Sequence, residues 1–512
     1  MPRSAPAATG DQLYRSFYTK SRYITDYMVD RLKPASGHKV LEPSAGDGEF
    51  IDALLGAHPG LDITALDMNP EAIACLQSKY ASSSNMKIVH TDTLLDSDLD
   101  QKAAGNGYYD RIIGNPPYGA WQDYEKRNEL KHRYDGFYVK ETYSLFLLRC
   151  VSLLKMNGRL TFIIPDTFLN LHMHKRLREH LLLHTSMKEI LLIPSSFFPG
   201  VKFGYANLAI LTLEKSTQEI ALQNRITIIN GLKKVSDIEE ITRGNFTAGT
   251  ANAVVISQRD IYQSKDCAFL FKSHHGIRHF INNTTTTLDD IADCATGFYS
   301  GNNRAFLKVA HSSVRNLSGC EVIRPEEINP DYRAAPSLLD GLDSSSSYIP
   351  IVKGNVKGYL REDNWFVDWS REAVRHYKTD AKARFQNASF YFQDGVALPM
   401  VKSSKVSASL IQRQIFDQSI VGIFPRDKSL LYILLSLMNT AIVNTFIHTI
   451  NHTANNSANY IKKIPVVIPA DSTLETIRQL TKNQLLHWQR AGSADQEIDD
   501  ELNGIYNSLY KL

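Results

Sequence analysis

The chain has 512 residues, 43% hydrophobic and 22% charged, with 57 basic and 54 acidic side chains for a net charge of +3. That length exceeds one ordinary core and predicts two or three domains, and the near-neutral balance excludes a uniformly basic nucleic-acid-coating protein, leaving any nucleic-acid groove as a local patch. No apolar run reaches the ~20 residues of a membrane span, Met1–Gly10 lack the apolar stretch of a signal peptide and read as a frayed tail, and five scattered cysteines without a Cys-x-x-Cys predict neither disulfides nor structural zinc, as suits a reducing cytoplasm.

The first half alternates apolar strands with helical patterns, the mark of an α/β sheet. Lys39-Val40-Leu41-Glu42 reads as a short strand, turned by Gly46-Asp47-Gly48 into a helix from Glu49 to Leu55. Asp62–Asp67 is a second strand, and Asn69-Pro70-Glu71 opens the next helix with Pro70 at its first position. Lys87–His90 is a third strand ending at Thr91-Asp92, and Asp110–Gly114 a fourth. The spacing predicts a long amphipathic helix over Glu141–Met156, stopped by Asn157-Gly158. Thr161–Pro165 is a buried strand, and Lys188–Ile193 and Tyr205–Leu213 are the last two of the sheet. Around Asn245–Ala253 the periodic pattern gives way to Thr, Asn, Gly and Ala, which predicts a domain boundary and two domains, 1–245 and 246–512. Beyond it, Ser344–Ser347 reads as an exposed loop, Leu430–Ile450 as helical, and Ile498, Leu502, Ile505, Tyr506 and Leu509 as an apolar helical stripe.

Two segments carry the chemistry. Asn115-Pro116-Pro117-Tyr118 ends the fourth strand. Each Pro fixes φ near −65° and removes an N–H, and the residue before it is held extended. The loop therefore presents carbonyls and the Asn115 amide as acceptors, with Tyr118 as a stacking wall, which suits a planar base bearing an exocyclic amine. The other segment, Glu42-Pro43-Ser44-Ala45-Gly46-Asp47-Gly48, lies at a strand-to-helix turn, where doubly wound sheets bind ligands. A phosphate cradle calls for Lys with Ser/Thr after the glycines or a full Gly-x-Gly-x-x-Gly; here Phe50 and Ile51 follow instead. Glu42 and Asp47 repel a pyrophosphate and attract a cationic amino acid and sulfonium, as in S-adenosylmethionine. Asp67, 19 residues after Gly48, is placed to bind ribose hydroxyls. Asp92 either accepts from an adenine amine or caps the following turn.

With these residues in order, the chain resembles the gamma-class amino-methyltransferases of type II restriction-modification systems, which methylate N6 of adenine in DNA. The matching elements are Phe17-Tyr18-Thr19, Leu41–Gly48, Leu66-Asp67, Thr91-Asp92, Asn115–Tyr118, Phe162-Ile163-Ile164-Pro165, Phe197-Phe198-Pro199 and Ala206–Leu211, with a terminal helix over Ile498–Leu512. The match covers residues 14–215 and thins beyond them. The resemblance implies a doubly wound mixed sheet of the class I S-adenosylmethionine-dependent methyltransferase fold, followed by a mixed α/β target-recognition region. It implies a cofactor site of Thr19, Glu42, Pro43, Ser44, Ala45, Gly46, Asp47, Gly48, Asp67, Met68 and Asp92. It implies catalysis by Asn115, Pro116, Pro117 and Tyr118 on a flipped-out adenine, with Phe198 on the base's other face and Phe197 and Phe203 as the other aromatic candidates. Thr19 is followed by Lys20, where the family usually has Pro.

No Cys follows a Pro, which argues against cytosine C5 chemistry, and Asn rather than Ser at 115 favours adenine over cytosine N4. An RNA adenine or a protein glutamine is the alternative substrate, since enzymes for both use Asn-Pro-Pro-Tyr; a non-catalytic DNA-binding subunit is a third reading. Residues ~250–512 favour a DNA enzyme, because a glutamine enzyme would not be expected to need them. Expected partners are double-stranded DNA and, functionally, a separate restriction endonuclease, since ~40 residues before the cofactor loop are too few for a nuclease. A cytoplasmic monomer with no membrane and no stable protein partner is expected. Candidate DNA contacts are Arg304, Lys353, Lys357 and Asn451–Lys463, while Trp365 and Trp369 read as core. His172, His174 and His180 read as solvated helix faces, and no metal site is expected.

Overall fold

The computed structural model describes residues 21–119, 124–197, 207–244, 251–271, 275–334, 338–354, 358–401, 403–451 and 455–511. The chain divides into two compact units, Met1–Phe271 and Lys272–Leu512.

Val40, Leu41, Ile63, Ala65, Ile112 and Ile113 are fully buried, as strands covered by helices on both faces require. They lie in β1 (Lys39–Glu42), β2 (Asp62–Asp67) and β4 (Tyr109–Gly114); β3 (Met86–His90) is the edge. With β5 (Leu154–Pro165), β6 (Thr185–Pro194), β7 (Asn207–Lys215), β8 (Arg225–Asn230) and β9 (Asn252–Ser257) they form one nine-stranded sheet, ordered β3-β2-β1-β4-β5-β7-β6-β8-β9. β1 to β5 pair in parallel, while β7 runs antiparallel to both β5 and β6. The order reverses between β1 and β4, where Val40 faces Arg111 and Leu41 faces Ile112. Helices α1 (Arg22–Leu32), α2 (Glu49–Ala57), α3 (Pro70–Lys79), α4 (Ser97–Ala104), α5 (Tyr124–Arg133), α6 (Thr142–Leu153) and α7 (Lys175–His184) lie between or before the strands. At the start of α3, Pro70 is preceded by Asn69, whose side chain accepts from Glu71 N.

The expected strands are present, and β8 and β9 extend the sheet beyond them. The expected amphipathic helix over Glu141–Met156 is different in kind. It ends at Leu153 and is buried on nearly every side. Leu154 turns extended and pairs with Tyr109, and Lys155 Nζ reaches Asp110 at 2.8 and 3.0 Å. Asn157, with φ of 64°, makes its turn inside β5 rather than at a helix end. The one cation of α6, Arg149, is buried and donates to Asp100 Oδ1 at 2.5 Å, to the Asp96 carbonyl at 2.6 Å and to the Thr93 carbonyl at 3.3 Å. A charge so fully accepted lets the helix sit inside the protein.

The first unit runs on past the boundary expected at 245/246. β9 pairs with β8 from Arg225–Ser257 to Asn230–Asn252, so residues 252–257 belong to the sheet. Fully buried Arg178 on α7 then fastens the segment after it, donating to the Asp266 carbonyl at 2.8 Å and to the Phe168 and Leu171 carbonyls at 2.8 Å each.

The second unit holds a four-stranded antiparallel sheet (292–296, 420–425, 395–399, 409–411) and a five-stranded sheet (321–322, 307–309, 365–368, 348–352, 415–416). Trp365 and Trp369 are core, as expected, and the Trp369 indole donates to the Leu338 carbonyl at 2.6 Å. The Leu430–Ile450 pattern forms two helices, Leu431–Met438 and Ala441–Ile450. The terminal stripe forms helix Gln496–Tyr510, which buries Leu502, Tyr506 and Tyr510. No single helix among the described residues is long and apolar enough to cross a membrane, and all five thiols are free.

Arg178→Met should lower the unfolding free energy by about 2–3 kcal/mol, since several buried carbonyls lose their donor at once. A urea titration checks this; a midpoint unchanged at constant m-value would show that those carbonyls find other donors.

Candidate active site

β1 and β4 are neighbours, so the turns leaving their carboxyl ends are neighbours too. The first turn is built on glycine. Gly46 and Gly48 have φ of 54° and 84°, a region that side-chain-bearing residues rarely enter. A Cβ on Gly48 would stand 2.7 Å from the Tyr80 hydroxyl and 2.9 Å from Leu76 Cδ2. Asp67 braces the turn, its Oδ2 accepting from Gly46 N and its Oδ1 from Asn69 N, each at 2.8 Å. Thr93 Oγ1 donates to the Pro43 carbonyl at 2.6 Å. Thr93 was not among the expected site residues, although its place directly after Asp92 in the turn following β3 is the signal that could have found it.

The second turn closes against the first. Ser44 Oγ donates to the Asn115 carbonyl at 3.4 Å, and a Cβ on Gly114 would meet Pro43 Cδ at 3.4 Å. Asn115 is half-buried, Pro116 buried, and Tyr118 only 2% exposed. The Pro117 carbonyl accepts from Thr142 Oγ1 at 2.5 Å. The structure thus brings Glu42–Gly48, Asp67 and Asn115–Tyr118 together at the carboxyl ends of β1, β2 and β4.

Electrostatics set the character of this site. Glu42 is 1% exposed, and its Oε2 has no hydrogen-bond partner among the described residues. Burial first, then the Asp67, Asp47 and Asp52 carboxylates, push its carboxyl well above the usual range; Lys79 pulls the other way. Lys79 is engaged with the Asp47 carbonyl at 3.1 Å and with Asp52. An orphaned buried carboxylate among other acids asks for a cationic donor. The ammonium of an amino acid fits that demand and a phosphate does not. S-adenosylmethionine therefore fits the residues present, with Glu42, the Gly46–Gly48 backbone and Asp67 the groups that would hold it.

The remaining expectations divide. Met68 is 41% exposed beside Asp67, its carbonyl 3.0 Å from His90 Nε2. Asp92 caps its turn, accepting from Leu94 N at 3.0 Å, and pairs with Lys126 Nζ at 2.5 Å. Phe197 is packed against the core. Thr19, Phe198, Phe203 and Lys357 lie outside the described residues.

Two readings need correction. His174 is not on a solvated face: it is 1% exposed, with Nε2 2.7 Å from Glu141 Oε2 and 3.0 Å from the Tyr143 hydroxyl. His180 is largely enclosed, and burial, His184 and Lys215 lower its pKa to about 4. Lys353 is spent within its own unit, 2.8 Å from the buried carboxylate of Asp417. In the Asn451–Lys463 stretch, Asn451 and Asn456 are buried and bond to each other at 3.0 Å; residues 452–454 of it lie outside the described residues. Among the described residues no cluster of His, Cys, Asp and Glu could hold a metal.

The sheet order with its antiparallel β7, and an acid-lined glycine turn at the reversal point, define the class I S-adenosylmethionine-dependent methyltransferase fold. Residues 62–198, from β2 through β6, match the model of the Eco57I restriction-modification methylase family. The type II methyltransferase M.AccI of Acinetobacter calcoaceticus is 28% identical over 211 residues, 40% of this chain and 36% of that protein. A ribosomal RNA small subunit methyltransferase A of Xanthomonas euvesicatoria pv. vesicatoria is 31% identical over 101 residues, 20% of this chain and 37% of that one. These matches span about a third of the length of the curated relatives. The solved DrdV–DNA complex shares the fold, with a TM-score of 0.55 at 11% identity over 93% of this chain and 57% of that one.

Glu42→Gln tests the charge reading. The folded carboxyl titrates above its unfolded value, so its favourable contribution is full below about pH 4.5 and is lost as pH rises. The variant should therefore melt above wild type at pH 7–8 and together with it at pH 4, without ligand. It should also bind S-adenosylmethionine ~10–100-fold more weakly, the loss of one charge-assisted contact. Calorimetry across pH reads both; a variant less stable than wild type at pH 8 would refute the unpaired carboxylate.

Proposed function

We propose that the chain is a site-specific DNA methyltransferase that transfers the methyl group of S-adenosylmethionine to N6 of an adenine flipped out of duplex DNA, protecting host DNA from a cognate restriction endonuclease. The observation that carries this reading is the contact of the two turns, with Ser44 Oγ on the Asn115 carbonyl: an acceptor-rich loop and an acid-lined cofactor turn share one crevice.

The cofactor, when bound, supplies a methyl group on a positively charged sulfur. The protein does the rest by holding and orienting. Glu42 and the glycine turn bind the amino-acid end, and Asp67 has lone pairs left for ribose hydroxyls beyond the two it gives Gly46 and Asn69. Extruding a base costs a few kcal/mol. Stacking on Tyr118 returns ~1–3 kcal/mol, and an aromatic on the other face, for which Phe198 is the candidate, offsets the remainder. The Asn115 side-chain oxygen and the Pro116 carbonyl accept the two N6–H bonds, which draws the amine toward tetrahedral geometry and frees its lone pair. Orientation and preplaced dipoles then supply the acceleration. No general base is needed before attack, because the methylated nitrogen is strongly acidic and releases its proton afterwards.

The chemistry alone leaves an RNA adenine or a protein glutamine open as the substrate. The second unit, Lys272–Leu512, favours DNA, because sequence readout needs a separate surface for base edges. On this reading the protein works as a monomer, with the endonuclease a separate chain.

Tritium transfer from labelled cofactor should mark unmethylated duplex DNA and neither ribosomal RNA nor protein. Asn115→Ala should lower the rate by ~10²–10³-fold while cofactor binding persists. Folded protein that labels no duplex DNA from any unmodified source sinks the proposal; label in RNA or protein alone moves it to the alternative substrate.

A further inference from the structure

The amino end of α6 carries a buried chain of side chains that the transfer chemistry leaves unused. Thr142, the helix's first residue, holds the Pro117 carbonyl at 2.5 Å. Glu141 precedes it at the N-cap, makes no side-chain capping bond to α6, and places Oε2 2.7 Å from His174 Nε2. The Tyr143 hydroxyl stands 3.0 Å from that nitrogen and 2.9 Å from Thr167 Oγ1, just past the end of β5. The Tyr138 ring meets the imidazole edge-on, centroids 5.5 Å apart.

A helix start is capped more simply by Ser, Thr, Asp or Asn on its own backbone, so this arrangement serves something else. A carboxylate only accepts, so His174 Nε2 carries the proton in the contact with Glu141. Nδ1 has no partner among the described residues and is fully enclosed. Burying an imidazole with one nitrogen unmet is costly, whereas an apolar side chain of similar shape would leave nothing unmet. What the imidazole supplies in return is a charge-assisted hydrogen bond, short and directional. It fastens Glu141 to the segment after β5, and the next residue along, Thr142, fastens the loop after β4.

We infer that His174 and Glu141 are positioning residues for methyl transfer: their hydrogen bond fixes the start of α6, and through Thr142 it fixes the Pro117 carbonyl and hence the acceptors of Asn115 and Pro116. The chain meets the glycine turn at the 3.4 Å contact of Ser44 Oγ on the Asn115 carbonyl, away from Glu42 and Asp67, so its effect falls on the acceptors more than on cofactor affinity. A displacement of about 1 Å at a site of this kind costs ~10²-fold in rate. The kinetic part of this inference rests on the methyl-transfer reading; the holding of the loop does not.

Two measurements on the full chain test it. Hydrogen exchange, without cofactor or DNA, reads the Tyr118 and Gly119 amides. They should exchange at least tenfold faster in His174→Leu and in Thr142→Val, and at the wild-type rate in His174→Gln, whose amide can still donate to Glu141. Unchanged exchange in His174→Leu, or equal rates in the Leu and Gln variants, overturns the inference. Should His174→Leu not fold, Glu141→Gln takes its place: exchange at least threefold faster supports the inference and wild-type exchange overturns it. In turnover, His174→Leu should lose tenfold or more in kcat with KM for cofactor within twofold of wild type. The His174→Leu/Thr142→Val double variant should be no more than threefold below the worse single variant, because residues acting through one contact are not additive. Losses that multiply overturn the relay. A wild-type protein that labels no DNA defeats the proposed function while the exchange result stands by itself.

Discussion

The parallel pairing of β1 with β4 is the constraint from which the site follows. Adjacent strands lie about 4.8 Å apart, so two turns leaving the same ends of two paired strands must meet. Val40 opposite Arg111 and Leu41 opposite Ile112 set how far each turn projects. A register slip would separate Ser44 from Asn115 and Pro43 from Gly114. Four hydrogen bonds then join the strand ends into one rim: Gly46 N to Asp67, Thr93 to Pro43, Ser44 to Asn115 and Thr142 to Pro117. Each joins a short side chain to a main-chain group of a neighbouring turn, so the backbone of the rim is tied from one strand end to the next. Sites held this way on strand ends are more exact than sites on free loops.

The same rim stores electrostatic strain. Glu42 sits buried beside three other acids, with one oxygen unmet. The unliganded fold gives up stability to keep that carboxylate where a cation belongs. A ligand bearing an ammonium recovers it, which ties affinity to folding through mass action. Functional sites are where such local losses are tolerated. Lys79 opposes the upward pKa shift of Glu42 without cancelling it, its ammonium being engaged by Asp52 and the Asp47 carbonyl.

Much of this architecture can be read from residue order, and the failures share a cause. Lys39–Glu42 and Asp62–Asp67 fall at the bounds the apolar runs indicate, because glycine and Asn-Pro punctuate them. The helix after Tyr138 misleads because Arg149 imitates a solvated face, and only distant carbonyls at Thr93 and Asp96 show it to be interior. β9 is missed although Ala253-Val254-Val255-Ile256 is a short apolar run, because it follows directly on the stretch that reads as a boundary and lies half-exposed at the sheet's edge; its pairing with β8 fixes it. His174 is misjudged for the reason Arg149 is: a polar side chain buried by partners far along the chain looks, in one dimension, like a solvated one. Asp92 could be read either as cap or as ligand, and the structure shows the cap together with an ion pair that local sequence does not announce.

The second unit shows the same lesson in its charges. Recognition of a phosphate backbone requires cations whose charge is not already spent. Lys353, Lys308, Lys378, Arg426 and Lys462 are each paired with a carboxylate of their own unit. The exposed ones among these contribute little to stability, while Lys353–Asp417 and Lys308–Glu327 are largely buried; each removes a charge from the field that an incoming polyanion would meet. Arg304 differs. It is exposed on the short helix Asn303–Phe306, whose start is capped by Asn302, so its backbone is fixed while its guanidinium faces water. If this unit meets DNA, a cation on a fixed backbone loses less freedom on contact than one on a flexible loop. Lys353, by contrast, is part of the fold through Asp417.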